Sequence, residues 1–428
     1  MSDSPASDIL QLLSIITNST ESLVSFYKSD ITRPSLPSLD STETHPLDSS
    51  VYPVEVKHSL SMLEGACAQL CASLARPSHT ILNLGSDSYI LLDKPNGMYI
   101  NDISTECGIE SKKLKRVLFS NDVFANNRLS MQLVSSAPMW SAGMHLVNEP
   151  NGKAVAHLAD TLLDPVWGPS YAPVNTAFNR ATGYPHPLYL YFDGKDTDDG
   201  AAQGARFGHA MAGWNEAADA GALVFEYPWG ELPAGAVVND LGGGVGYLTM
   251  KLYRHFPHLV FKLQDMPERI HQAQNEIWPQ ECPEAIANSK VQFKGVNLLV
   301  EAPLPNCDIY LLKNVIHNLP IDLALKVLLN IREVMSPHNK ILINEFIVVN
   351  TCRAPGNEAE VPQAPPPLLP NFGVGRIRLN YLDIAMLTQF NSEERTLDDY
   401  VKLSASAGLR LLKVWDLGES ILLELALT

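Results

Sequence analysis

From residue 226 onward, apolar residues fall in short unbroken runs set between stretches with helical spacing. Val237–Val238, Leu259–Leu263, Val291–Phe293, Cys307–Leu319 and Ile341–Val349 read as buried strands. Leu248, Leu252 and Phe256 give Tyr247–Phe256 a helical period, and Leu323–Met335 and Leu397–Ser406 also read as helices. Leu409–Trp415 and Ser420–Leu425 read as the last strands. Strand alternating with helix predicts an α/β domain on a parallel sheet over residues 226–428. Residues 351–372 are Pro-rich and predict a mobile loop.

Upstream the period is helical. Within residues 1–50, Ile9, Leu12, Leu13, Ile16 and Leu23 form one apolar stripe, followed by a Ser/Pro/Thr-rich linker from Thr32. A detached amphipathic helix must bury that stripe, often on a partner chain. Residues 51–135 predict a small helical domain: a helix over Val56–Leu74, a helix-turn-helix over Ile103–Ser120 and a two-stranded wing over Asn121–Val134. Residues 136–225 predict a helical connector. In it Phe207, Met211 and Trp214 lie on one helix face, as core or as the wall of a pocket.

A winged helix alone would suggest DNA. The net charge of −16 and the few basic residues on the second helix argue against nucleic acid, and the same acidity argues against an anionic membrane. Dimerisation or substrate covering is the expected role. No apolar run is long enough to span a bilayer, and the N-terminus lacks the pattern of a secretory signal. The six cysteines are scattered and complete no zinc pattern, so buried reduced thiols in a cytoplasmic protein are expected.

The chemistry gathers around AVVNDLGGGVG, residues 236–246. A strand, the glycines Gly242, Gly243, Gly244 and Gly246, and a helix start make the first unit of a nucleotide-type fold. Tyr247 stands where a dinucleotide fingerprint wants its third glycine, and no phosphate-loop lysine follows. Asp265 ends the next apolar run, where a carboxylate can take two ribose hydroxyls. His317 and Glu345 fall at or near later strand ends, the ligand edge of such sheets. The plain alternatives are a glycine turn with a surface acid and a core histidine bonded to backbone.

Five stretches carry a family resemblance: DLGGGVG (240–246), LQDMP (263–267), LLKNVIHNLP (311–320), ILINEF (341–346) and EERT (393–396). With them the chain resembles fungal S-adenosylmethionine-dependent O-methyltransferases of the plant caffeate and flavonoid type. The resemblance runs from about residue 55 to the C-terminus. It implies an N-terminal all-α winged-helix dimerisation domain, a Rossmann-like methyltransferase domain, a homodimer and a small-molecule acceptor. It places the cofactor against Asp240, Gly242, Gly244, Asp265, Met266, Asn297, Leu298 and Lys313. It makes His317 the general base, held by Glu345 and Glu394, and lines the acceptor pocket with Phe207, Met211, Trp214 and Met386. It implies no metal.

The residue types suit that chemistry. Methyl transfer from a sulfonium is an in-line displacement, so alignment supplies much of the rate. A phenol or alcohol is a weak nucleophile until a base takes its proton, and a carboxylate on the far nitrogen of that base fixes its tautomer. Three positions depart from the family pattern: Asn318 and Asn297 stand for Asp, and Leu319 for a bulky aromatic. Some fungal relatives of this fold guide pericyclic or dehydration steps with the cofactor as a fixed charge. In that alternative Lys313 or His317 polarises a carbonyl.

Overall fold

The computed structural model describes residues 5–28, 45, 51–74, 98–107, 123–124, 141, 145, 150–192, 198–217, 221–353 and 360–428. The C-terminal half is built on seven strands: β1 (Val237–Leu241), β2 (Val260–Asp265), β3 (Val291–Gly295), β4 (Ile309–Lys313), β5 (Lys340–Glu345), β6 (Leu409–Asp416) and β7 (Ile421–Leu427). Their order is β3-β2-β1-β4-β5-β7-β6. β1 to β5 run parallel, and β7 is antiparallel to both neighbours. A short turn joins β6 to β7, which leaves antiparallel pairing as the only option. The strand order reverses between β1 and β4, and the crevice beyond that point is where such sheets hold ligands.

Both faces of the sheet are covered, which is why the strands read as continuous apolar runs. Leu252, Phe261, Leu263 and Trp278 belong to the core of one face. Leu312, Leu328, Ile343 and Tyr400 belong to that of the other. The longer helices are α1 (Pro5–Lys28), α2 (Val54–Leu74), α3 (Asp198–Ala217), α4 (Tyr247–His255), α5 (Ile321–Glu333), α6 (Ile377–Phe390) and α7 (Leu397–Ser406).

Several expectations shift. The strand at 341–349 stops at Glu345, and the strand at 307–319 covers only 309–313 before the chain turns. α6 carries no sequence expectation; exposed Tyr381 and Ile384 blur its apolar face. Residues 360–372 are packed: Ala364, Leu368 and Phe372 form one cluster with Leu12 of α1 and Ala66 of α2. The prolines there mask apolar residues that meet the N-terminal helices. α1 buries Leu12 and Leu23 within the same chain, whereas Leu13 is 44% exposed. Cys67, Cys71 and Cys352 are exposed, whereas Cys282 and Cys307 are buried. Cys67 and Cys71 share the outward face of α2, one turn apart.

Within 51–135, the helix over Ile100–Cys107 and an antiparallel pair, Met98–Tyr99 with Val123–Phe124, are described. The second helix of the expected helix-turn-helix and the rest of the wing lie outside the described residues. Among the described residues no helix is long and apolar enough to cross a membrane.

Candidate active site

The glycine loop follows β1 directly. Gly242, Gly244 and Gly246 take φ of +70°, +61° and +88°, left-handed values that a side chain resists. A Cβ on Gly246 would press Leu263 at 2.7 Å and Trp278 at 2.9 Å. A Cβ on Gly244 would meet nothing within 4 Å, so the loop is open on that side. Asp265, the last residue of β2, accepts hydrogen bonds from Gly244 N at 2.7 Å and from Met266 N at 2.6 Å. One carboxylate thus ties the loop to the neighbouring strand through both of its oxygens.

Asp240 is buried at the end of β1 and accepts from the Thr249 hydroxyl at 2.5 Å. Burial pushes its pKa up to about 6, against the Thr249 bond, with the Asp265 charge adding to the rise. Lys313 ends β4. Burial pulls its pKa down to about 8, against the charges of Glu345 and Asp240.

Beyond Lys313 the chain turns sharply. Asn314 takes a left-handed φ of +54°, which Asn tolerates better than most residues. A single 3-10 turn, Ile316–Asn318, then carries His317. Asn318 donates its side-chain amide to Asn314 O at 3.0 Å and closes the turn. An ionised Asp there could not donate, so the departure at 318 has a local structural reason. Asn297 likewise turns its own loop, its Oδ1 accepting from Leu299 N at 3.0 Å. Leu298 packs toward α5, its carbonyl accepting from Asn330 at 2.8 Å.

Glu345, the last residue of β5, is fully buried and accepts from Val315 N at 3.0 Å and Ile316 N at 2.8 Å through Oε1. It therefore grips the turn that holds His317. Glu394 comes from the loop between α6 and α7. Its Oε1 lies 2.6 Å from His317 Nδ1, and Glu345 Oε2 lies 3.6 Å from the same nitrogen. Burial pushes His317 down, but the two carboxylates outweigh it and raise its pKa to about 9. Glu345 is raised by its own burial, against the pull of His317.

His317, Glu345 and Glu394 each present a donor atom within 4.8 Å of the others, a set that could also suit a cation. The 2.6 Å contact is a charge-assisted hydrogen bond. Two donors on one tetrahedral zinc at about 2.0–2.2 Å would stand about 3 Å or more apart. Glu345 Oε1 is already committed to backbone N–H groups. The geometry is that of an imidazole hydrogen-bonded to one carboxylate, with a second carboxylate holding its turn.

The aromatic residues divide. Trp214 meets Phe346, directly after Glu345, with ring centroids 6.4 Å apart. Phe207, on the same helix α3, stacks instead on Phe192 at 4.7 Å. Met211 lies between them and is half-buried. Met386 is buried on α6, near Asp383, whose Oδ1 accepts from Glu394 N at 2.8 Å. Sequence reasoning missed two residues. Arg395 is fully buried and donates to Ile316 O at 3.0 Å and Leu319 O at 2.6 Å, bracketing His317. Its neighbour Glu394 was the only signal. His145 is buried with its ring 5.1 Å from Phe207 and its Nδ1 unpartnered. A lone histidine in a helical stretch carries no signal of that.

The comparisons with known proteins show the family. An O-methyltransferase domain model matches residues 176–410. The 3-O-methyltransferase 2 of Phanerochaete chrysosporium is 33% identical, with 99% of each chain covered. The O-methyltransferase gedA of Aspergillus terreus is 31% identical over 76% of this chain and 73% of its own. Among solved structures, OxaC in complex with sinefungin and meleagrin shares the fold at a TM-score of 0.69 and 16% identity, covering 98% of this chain and 99% of its own. LepI in complex with SAM gives 0.62 at 18% identity, covering 86% and 94%. The chain belongs to the O-methyltransferase family and is an enzyme whose methyl donor is S-adenosylmethionine. Its residues fit that donor. The glycine loop is open at Gly244, and the carboxylates of Asp240 and Asp265 stand at the ends of the two neighbouring strands β1 and β2 beside it.

Proposed function

We propose that His317 is the general base of methyl transfer to a hydroxyl on a small aromatic or polyketide-like secondary metabolite. The observation that carries this is the 2.6 Å contact between His317 Nδ1 and Glu394 inside a buried carboxylate pair. Relatives named O-methyltransferases support transfer of the methyl group to an oxygen.

S-adenosylmethionine supplies an electrophilic methyl group on a sulfonium. Asp265 would hold the ribose hydroxyls, and Gly242, Gly244, Met266, Asn297, Leu298 and Lys313 would hold the rest. Glu394 holds the Nδ1 proton, so Nε2 is the nitrogen that takes the acceptor's proton. The pKa of about 9 at His317 lies near that of a phenol, so the proton moves between groups of similar affinity. Glu345 fixes the turn. Trp214, Phe346 and Met386 exclude water beside it, and Phe207, Met211 and His145 extend the acceptor wall. The chain works as a homodimer through residues 51–135.

Purified protein is incubated with a panel of phenols and a labelled methyl donor. Label should reach the phenol, persist in EDTA, and fall by about 10²–10⁴ in His317→Ala with donor binding intact. Asp265→Ala should weaken donor binding about a hundredfold, as loss of charge-assisted hydrogen bonds requires. Isomerised substrate with the donor required but unconsumed would replace this reading with a pericyclic one.

A further inference from the structure

Two buried polar atoms flank the end of α3 that lies away from His317. His145 is 5% exposed and Gln203 8%. His145 Nδ1 and Gln203 Oε1 each lack a hydrogen-bond partner. Both residues stand beside the stacked rings of Phe192 and Phe207. His145 meets Phe207 edge-on at 5.1 Å and Phe192 at 6.2 Å. Gln203 lies one turn before Phe207 on α3. There the helix runs so close to Phe192 that a Cβ on Gly204 would stand 2.2 Å from the Phe192 carbonyl oxygen.

Two helices connect this end to His317. On α3, Gln203, Phe207, Met211 and Trp214 share one face. On α6, Phe390, Met386, Asp383 and Leu382 share another. Phe207 and Phe390 pack on one aromatic cluster with Phe192, while Trp214 and Leu382 pack with Phe346, the residue after Glu345. Asp383 holds Glu394, the partner of His317. The step from one end to the other is seven positions on either helix, 207 to 214 and 383 to 390, which is about 10 Å along the axis.

A buried polar atom without a partner costs stability, and a ligand that pairs with it offsets that cost. Burial pulls the His145 pKa down to about 4, so the ring is neutral at physiological pH. A neutral imidazole and an amide oxygen suit a hydroxyl, which can accept from one and donate to the other. They offer no charge to hold a carboxylate or a phosphate. We propose that His145 and Gln203 form a second recognition point for the acceptor and bind a hydroxyl remote from the one that is methylated. The acceptor class is then a phenol of fused or linked rings with hydroxyls at opposite ends. A monophenol leaves both atoms unpaired, and a catechol carries its second oxygen beside the first, out of their reach.

The assignment rests on α3 and α6 walling the acceptor site of the proposed function, but its test needs no turnover. Calorimetry on the full chain, with the demethylated donor S-adenosylhomocysteine present, compares 2,7-dihydroxynaphthalene with 2-naphthol. The two differ only in the remote hydroxyl. Wild type should bind the diol about tenfold tighter, the size of one well-paired buried hydrogen bond. His145→Phe keeps a ring against Phe207, and Gln203→Met keeps the length of the side chain. Each should bring the diol down to the affinity of 2-naphthol and leave 2-naphthol and S-adenosylhomocysteine unmoved. His145→Asn keeps a polar atom near the place of Nδ1 and should retain part of the preference. Melting curves separate folded variants from unfolded ones, and either substitution tests the assignment without the other. Equal affinity for the two phenols in wild type, non-binding of both included, overturns it, as does a preference that survives in every folded variant. A preference lost in either variant upholds it even where neither phenol is methylated, and the base role of His317 then falls alone.

Discussion

His317 is held as an imidazolium through neutral pH, because Glu394 and Glu345 outweigh the cost of burying its charge. Two outcomes follow at the scale of this residue. With His317 as the proposed base, activity on a phenol, as kcat/KM, should climb with pH toward about 9, since a base there must first lose that proton. Stability should run the other way. A histidine whose folded pKa is raised stabilises the fold fully below its ordinary 6.5 and loses that contribution as pH rises through about 9. Asp240, raised to about 6 by burial, adds a loss of the same sign at lower pH. Lys313, lowered to about 8 by burial, works the other way and returns stability as pH rises above about 8, so melting temperature should fall between about pH 6.5 and 8 and level off beyond. Glu394→Gln should flatten that fall and the activity curve alike. A melting temperature that is level between about pH 6.5 and 8 would contradict the assignment.

At the scale of elements, what was legible is what repeats. Strands buried on both faces announce themselves as apolar runs, and the glycine loop as a cluster of residues that can take positive φ. The ends of elements were harder. Ile341–Val349 reads as one strand because Phe346, Ile347 and Val349 are buried too, yet pairing with β7 ends at Glu345. His317 looked like a strand end because the one-turn helix that carries it is apolar on both sides. The role of Arg395 was hidden because a buried guanidinium that donates to backbone carbonyls leaves no periodic pattern in sequence. The loop that brings Glu394 and Arg395 inward is fixed by the capping box of α7, in which Thr396 and Asp399 exchange hydrogen bonds. Thr396→Ala should cost about 1 kcal/mol of stability, the usual worth of such a cap. It should also lower kcat, because Glu394 lies two residues upstream. Equal loss of stability with unchanged kcat would show that the loop is held by Asp383 and Arg395 alone.

At the scale of the molecule, the N-terminal helices are fastened to the catalytic sheet rather than set apart from it. Lys57 of α2 donates to Leu417 O at 3.0 Å, in the turn between β6 and β7. His58, one residue on, meets Asp416 at 3.1 Å. From the other side of that turn, Arg376 donates to Gly418 O at 2.8 Å and lies over the Phe372 ring. α2 and the chain at 372–375 approach closely enough that a Cβ on Gly375 would stand 2.0 Å from Ser61 O. That contact sits between α1 and the chain leading into α6, the helix whose Asp383 holds Glu394. Residues far from the chemistry thus brace one of its two acids. Removing residues 1–28 uncovers Ala66, Met62 and Leu70 on α2 and takes Leu12 from that cluster. The truncated chain should melt several degrees lower and lose kcat more than donor affinity, since the glycine loop and Asp265 lie on the other wing of the sheet. Light scattering on both forms tests the proposed homodimer at the same time. Full-length protein should run at twice the 47.0 kDa chain mass. A full-length monomer would remove the dimer, and a truncated form with unchanged kcat would remove the brace.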